Sequence, residues 1–170
     1  MTHDRDRRGL QADDGETPRI LALPAGWASP LHHDLESLVA ERRAAAGLHE
    51  HRVCVTIDVP PDAHVALAGP VAEAVALLVD AAFVSAVRPD PASDMPHVPE
   101  VVITGVVTGG ALELEIAASG CPTPDADAGV CAARGVLERI GGAIVAVPCP
   151  EGGRAVTLRL PRAPARRQAA

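Results

Sequence analysis

The order in which helical and strand-like patterns alternate is the strongest constraint on how this chain folds. Apolar residues recur at helical spacing in three stretches and alternate in five shorter ones, four of which form two pairs typical of hairpins. The predicted helices lie at residues 30–46, 70–87 and 127–140, and the predicted strands at 51–59, 100–107, 111–117, 143–147 and 155–160. This order predicts an α+β fold, a two-layer α/β sandwich in which about three helices cover one face of a mixed sheet.

Composition divides the chain into one domain with two tails. Residues 1–28 form a tail that we predict to be disordered, since residues 1–19 are polar and without period. Residues 20–30, ILALPAGWASP, are more apolar and suggest a strand-like arm that packs on the domain. The domain is expected over residues 29–162, followed by a loose basic tail at residues 163–170.

Charge and cysteine usage narrow the class of protein. The net charge of -7 disfavours general binding to nucleic acid or anionic membranes. No apolar run is long enough for a membrane span, and the first residues do not resemble a secretory signal. The four cysteines form no C-x-x-C pair, which favours reduced thiols in a cytoplasmic protein over a thiol switch or metal site. With one Trp, one Phe and no Tyr, the core must be built from aliphatic residues.

Three segments, in order, carry a family resemblance. Residues 69–83, GPVAEAVALLVDAAF, are similar to an N-box helix, and residues 114–124, LEIAASGCPTP, to a strand followed by a glycine loop. Residues 129–161 give a glycine, a helix ending in Gly141-Gly142, and a closing GGRAVTLRLP strand. Over residues 32–161 the chain resembles the Bergerat-fold (GHKL) ATPase superfamily, and within it the catalytic domain of sensor histidine kinases. The resemblance implies an ATP site between these helices and the loop, under a flexible lid.

The positions that match the family's adenine and magnesium contacts are altered. Asp80 stands where the family has the Asn that coordinates Mg²⁺, and a carboxylate remains a possible, though weak, magnesium ligand. Ala118 replaces the Asp that accepts a hydrogen bond from adenine, and an unpaired amine costs about 1–3 kcal/mol. Gly120 matches the first loop glycine, but the second is Pro122, and Arg154 replaces the Thr after the closing glycine.

The lid that holds the phosphates in the family is short here. It supplies one glycine, Gly129, together with the carboxylates of Asp125 and Asp127, which are good helix caps but poor neighbours for a triphosphate. If phosphates bind at all, Gly129 and Arg134 are the candidate contacts. The matched pocket residues are therefore expected to form a degenerate site without ordinary ATP binding.

Two histidine motifs offer other chemistry. His32-His33-Asp34 resembles the phosphoacceptor box of histidine kinases, with His33 as the candidate. The chain before the first strand has room for one helix only, so the competing interpretation places His32 and His33 on the exposed first turn of that helix. His49-Glu50-His51 lacks a third metal ligand and is read as a solvated turn.

These observations favour a degenerate histidine-kinase-like ATPase domain that acts as a protein-interaction or regulatory module in bacterial two-component-type signalling. Its expected partner is a response regulator, a kinase or a sigma-factor regulator, and a homodimer is possible. No cofactor is expected unless the pocket still binds ATP and Mg²⁺. The alternatives are an ATP/Mg-binding kinase of the histidine or anti-sigma-factor type, a phosphotransfer protein using His33, and an α+β domain of another role.

Overall fold

The computed structural model describes residues 30–48, 53–61, 63, 67–89, 91, 97–108, 111–150 and 152–160. The elements are α1 (Pro30–Ala45), β1 (Cys54–Asp58), α2 (Pro70–Ala86), β2 (Glu100–Thr108), β3 (Ala111–Ala118), α3 (Pro124–Glu138), β4 (Ala143–Pro148) and β5 (Arg154–Leu160). The predicted tails, the apolar arm and the His49-Glu50-His51 turn lie outside the described residues, and the domain boundaries remain predictions.

The five strands form one mixed sheet in the order β1-β2-β3-β5-β4. β1 runs parallel to β2, and the other three neighbouring pairs are antiparallel. Both predicted hairpins are present, β2 with β3 and β4 with β5. The predicted α+β two-layer sandwich with a mixed sheet is therefore confirmed. None of the described helices is long and apolar enough to cross a membrane.

One face of the sheet is buried under the helices. Along β3 the side chains of Leu112, Leu114 and Ile116 are buried, whereas Glu113 and Glu115 between them are more exposed. This alternation is that of a strand with one covered face. α2 is buried along most of its length and carries Phe83, the largest fully buried side chain of the core. As the composition required, the remaining core is aliphatic.

α3 begins three residues earlier than predicted, at Pro124 instead of Asp127. The hydroxyl of Thr123 accepts a hydrogen bond from the Ala126 N–H at 3.1 Å and caps the helix, and proline suits its first turn. Asp125 and Asp127 consequently lie within the first turn and do not cap it. The Pro/Asp composition of this stretch concealed a helix start.

The prediction that His32 lies on an exposed turn was wrong. His32 is 3% exposed, whereas the side chain of His33 is 69% exposed. His32 precedes Leu35 by three residues and Val39 by seven, which places it on the buried side of α1. Its Nε2 lies 3.4 Å from Glu36 Oε1.

The turn between β4 and β5 brings Gly153 against the end of β3. Gly153 has a φ of +85°, and an added Cβ would lie 2.1 Å from the carbonyl oxygen of Ala118. Gly152 has a φ of +95°, but nothing lies within 4 Å of the corresponding position. Two adjacent glycines thus share an unusual backbone conformation, and only one of them is also sterically required.

This difference gives a matched test of the fold. Gly152→Ala is expected to lower the free energy of unfolding by about 1–2 kcal/mol, the cost of a side chain at positive φ. Gly153→Ala is expected to cost at least about 2 kcal/mol more, because its Cβ also collides with backbone. Urea unfolding followed by circular dichroism measures both. Equal losses in the two variants would show that β3 and the turn are not in close contact.

Candidate functional site

A small cavity lies between α2 and the inner face of β3 and β5. It is lined by Leu78, Ala81, Ala82, Ser85, Ile116, Ala118, Arg154 and Val156. The fold therefore brings Ala118 and Arg154, which were matched to adenine contacts from the sequence, together beside the N-box-like helix. The cavity volume is about 10 Å³, which is at the lower limit for one water molecule.

Arg154 bridges β5 and α3 beside this cavity. It is the first residue of β5, and its backbone is paired with that of Ala118 on β3. Its Nη1 donates a hydrogen bond to Oδ1 of Asp127 in the first turn of α3. The side chain of Arg154 is only 14% exposed, whereas that of Asp127 is 61% exposed. The guanidinium thus ties β5 to α3 at the position that was matched to an adenine contact from the sequence.

The cavity wall offers little for a base to bind. Ala118 is 6% exposed, and its methyl group cannot accept a hydrogen bond. The hydroxyl of Ser85, also buried, donates to the Ala81 carbonyl oxygen one helical turn earlier at 2.9 Å. The other wall residues on α2 are Leu78, Ala81 and Ala82. The cavity wall is therefore apolar at Ala118, the position that was matched to the hydrogen-bond acceptor of adenine.

The loop after β3 is held against the end of α2. Gly120 has a φ of +84°, and an added Cβ would lie 2.3 Å from the Arg88 carbonyl oxygen and 2.5 Å from that of Ser85. The Cys121 N–H donates to the same Arg88 oxygen at 2.9 Å. Gly120 is thus required by packing, whether or not a nucleotide binds. Pro122 follows it on the surface.

The carboxylate of Asp80, the candidate magnesium ligand, is paired with the guanidinium of Arg42. Arg42 Nε donates to Asp80 Oδ1 at 2.8 Å, and Arg42 Nη2 donates to Oδ2. The hydrogen bond with Asp80 raises the pKa of Arg42, so the guanidinium stays cationic. Asp80 is not part of the cavity lining. Both of its oxygens are engaged by Arg42, an arrangement that does not fit a metal bridging to phosphates.

The other predicted residues lie outside the cavity. Gly129 faces α2, where an added Cβ would be 3.2 Å from the Ala81 Cβ and 3.3 Å from the Leu77 carbonyl oxygen. Arg134 is exposed on α3. His33 is exposed on α1, with Nδ1 3.5 Å from Glu36 Oε2, and its phosphoacceptor role remains a prediction. The described residues contain no group of three or more His, Cys, Asp or Glu side chains suited to a metal ion.

Sequence reasoning missed Arg42, Ala81 and Ser85. Arg42 is 38 residues from Asp80, and no local pattern links two positions so far apart. Ala81 and Ser85 were within reach, because they follow Leu78 at helical spacing and so face the same way as that buried residue.

Solved structures share this architecture. The catalytic domain of the histidine kinase ThkA superimposes with a TM-score of 0.55 at 14% identity, covering 76% of this chain and 92% of that one. The chain has the GHKL-type fold of histidine-kinase ATPase domains. The mycobacterial sensor histidine kinase MprB gives a TM-score of 0.55 at 14% identity, with 79% and 97% covered. Acinetobacter baumannii AdeS gives 0.53 at 13%, with 77% and 66% covered. No protein-family model and no curated protein matches the chain.

The Arg42–Asp80 pair of this GHKL-type domain can be measured by a double-mutant cycle. Both side chains are about one-third exposed, at 32% and 33%, and the pair is bidentate. We expect Arg42→Ala and Asp80→Ala to show a coupling energy of about 0.5–1 kcal/mol in urea unfolding, which falls at high salt.

The Arg159–Glu113 pair provides the control. Its Nε–Oε1 distance is 3.2 Å, and its side chains are 64% and 37% exposed. Its coupling is expected to be smaller, about 0.2–0.5 kcal/mol, because solvent screens it more. A coupling between Arg42 and Asp80 no larger than this control would contradict a specific pairing at the magnesium position.

Proposed function

We propose that this GHKL-type domain is a degenerate member of the histidine-kinase ATPase group, which acts through protein contacts in bacterial signalling and has no ordinary ATP binding. The observation that carries the proposal is the small size of the cavity that Arg154 helps to line. Cavities that bind drug-sized ligands measure roughly 300–1,000 Å³. The space between α2, β3 and β5 measures about 10 Å³. A base could enter only if Arg154 and the other residues that line this space moved apart.

The energetics of adenine recognition support the same proposal. An adenine amine buried against Ala118 would be left without an acceptor, at a cost of about 1–3 kcal/mol. That penalty alone lowers affinity roughly 5- to 150-fold. Displacing Arg154 would also leave Asp127 without its ion-pair partner. The missing acceptor at Ala118 and the loss of the Arg154–Asp127 pair both oppose binding at the position where the family holds the base.

The charges around the helices disfavour a polyphosphate. The positive end of the α3 dipole is the natural place for phosphates in such a domain. Asp125 and Asp127 already lie in that first turn, and Asp127 also pairs with Arg154. At the metal position, Arg42 neutralises Asp80. Asp80 and Asp127 are thus paired internally, so a Mg²⁺–triphosphate would have to break these pairs and add negative charge beside carboxylates.

The proposed signalling role rests on the solved structures that share this fold, which are named as histidine kinases. We infer that the partner is a response regulator, a kinase of the same system or a sigma-factor regulator. A domain that keeps this fold without its nucleotide still presents a rigid sheet and helix surface to such a protein. The net charge of -7 favours a protein partner over nucleic acid.

Nucleotide binding is the first test. Isothermal titration of the full chain with ATP, with and without Mg²⁺, is expected to give no binding heat up to millimolar ligand. The physical reasons are the small size of the cavity at the position matched to adenine and the pairing of Asp80 with Arg42. A dissociation constant in the micromolar range would overturn the proposal and restore an ATP-binding kinase.

A double substitution tests whether Ala118 and Arg154 prevent ATP from binding. Arg154→Thr combined with Ala118→Asp removes the guanidinium and supplies an acceptor, so weak, millimolar binding of ATP is expected to appear. Arg159→Thr, on the same strand but outside the cavity, is the matched control and is expected to show no ATP binding. Circular dichroism verifies that both variants fold. Failure of the folded double variant to bind would show that Ala118 and Arg154 are not what closes the site.

Partner binding is tested with the same wild-type protein. Purified receiver domains, kinase dimerisation domains and sigma-factor regulators encoded in the same genome are immobilised, and the chain is titrated over each by biolayer interferometry. One class is expected to bind with a dissociation constant that ATP and Mg²⁺ do not change. Binding that appears only with nucleotide would contradict a nucleotide-independent module, and binding to none of the three classes would contradict the signalling role.

A further inference from the structure

A second and larger cavity, which shares no lining residue with the first, forms a groove between α1 and β1. Its volume is about 160 Å³. Its apolar lining consists of Val39, Ala40 and Ala44 from α1 with Val55 and Ile57 from β1, and its charged lining residues are Glu36 and Arg43. The α1 residues follow one another at helical spacing, so the groove runs along one side of that helix.

The groove lies at the edge of the sheet. β1 is the first strand in the sheet order, and among the described residues it pairs on one side only, with β2. Val39 and Val55 at the groove are buried, whereas Ala40 and Ala44 on its helical wall are exposed. Methyl groups thus face a space where an apolar segment would bury them.

We propose that this groove is the docking site of the chain's own segment Ile20–Trp27. The sequence from Ile20 to Leu31, ILALPAGWASPL, contains no charged residue, and it directly precedes α1. Its Ile, Leu, Ala and Trp side chains match an apolar groove, whereas residues 1–19 are rich in charge. The proposal does not depend on whether the other pocket binds a nucleotide.

The segment is long enough to cover the groove. α1 begins at Pro30, and the helical residues lining the groove run from Glu36 to Ala44. At about 1.5 Å per residue, they lie about 9–21 Å along the helix from its start. Ten extended residues, 20–29, span up to about 33 Å. After folding back at Pro30, Trp27 therefore lies level with the Glu36 end, and the segment up to Ile20 is long enough to pass the Ala44 end.

The covalent connection favours this occupant over a second copy of the chain. A segment joined to the groove by the short link Ala28-Ser29 has an effective concentration in the millimolar range. A second copy would need to reach that concentration in free solution to compete. The edge of β1 also lies alongside, and an extended segment can pair with such an edge.

Trp27 is the only tryptophan, and the chain has no tyrosine, so its fluorescence reports on this segment alone. In the full-length protein we expect Trp27 emission at shorter wavelength, and weaker acrylamide quenching, than in urea. Ala40→Glu with Ala44→Glu places charges on the groove wall at exposed positions. It is expected to shift the emission to longer wavelength and to increase quenching. Ala45→Glu, exposed on the same helix but outside the groove lining, is the matched control and should leave both unchanged.

Three results would overturn the proposal. The first is a native Trp27 emission identical to that in urea, which would mean that the segment is not docked. The second is protection of Trp27 that survives the double substitution in a folded protein, which would place the segment elsewhere. The third is protection that disappears on dilution, which would mean that the groove takes the segment of a second copy. None of these results changes the ATP titration, so this proposal and the proposed function fail independently.

Discussion

Close packing of α3 on α2 is the constraint on which the rest of the site depends. Gly129 lies against α2, where an added Cβ would be 3.2 Å from the Ala81 Cβ and 3.3 Å from the Leu77 carbonyl oxygen, closer than ordinary contact. Ala126 and Ala133 continue this pattern of small buried residues along α3. Because the two helices approach so closely, the first turn of α3 lies within reach of β5. The contact between Arg154 and Asp127 then follows from the backbone arrangement.

Close approach of α2 to the sheet explains why the cavity is small in a domain whose core is otherwise aliphatic. The cavity is bounded on α2 by Leu78, Ala81, Ala82 and Ser85, and no aromatic residue lines it. Its size is therefore set by how near the backbones lie, and small side chains allow them to lie near. The ion pairs at Arg42 and Arg154 add little stability of their own, since partly exposed pairs contribute about 1 kcal/mol or less. In the proposed function, their larger effect is to oppose a charged ligand, which would have to displace them.

The sequence predicted the element order and the mixed sheet, because these depend on local periodicity; of the predicted site residues, the structure brings Ala118 and Arg154 together in the cavity lining. It did not predict the start of α3, where Thr123 and Pro124 form a cap that the surrounding Pro/Asp residues obscured. The burial of His32 was also missed, although its spacing to Leu35 and Val39 indicated it. Arg42–Asp80 and Arg154–Asp127 could not have been predicted, since each joins elements that are distant in the chain.

The positions that match the family divide into two physical classes, those where the backbone requires the residue and those where it does not. Gly120 and Gly153 are held by backbone carbonyl oxygens within 2.5 Å of where a Cβ would lie, so the structure itself requires glycine there. Ala118 and Asp80 meet no such requirement: one presents a methyl group to a cavity, and the other pairs with an arginine on the neighbouring helix. Substitution at positions such as Ala118 and Asp80 changes which ligand groups the side chains can contact and leaves the backbone path unchanged. A chain can therefore match the glycines of a nucleotide-binding fold for reasons of packing alone, and those glycines are not evidence of nucleotide binding.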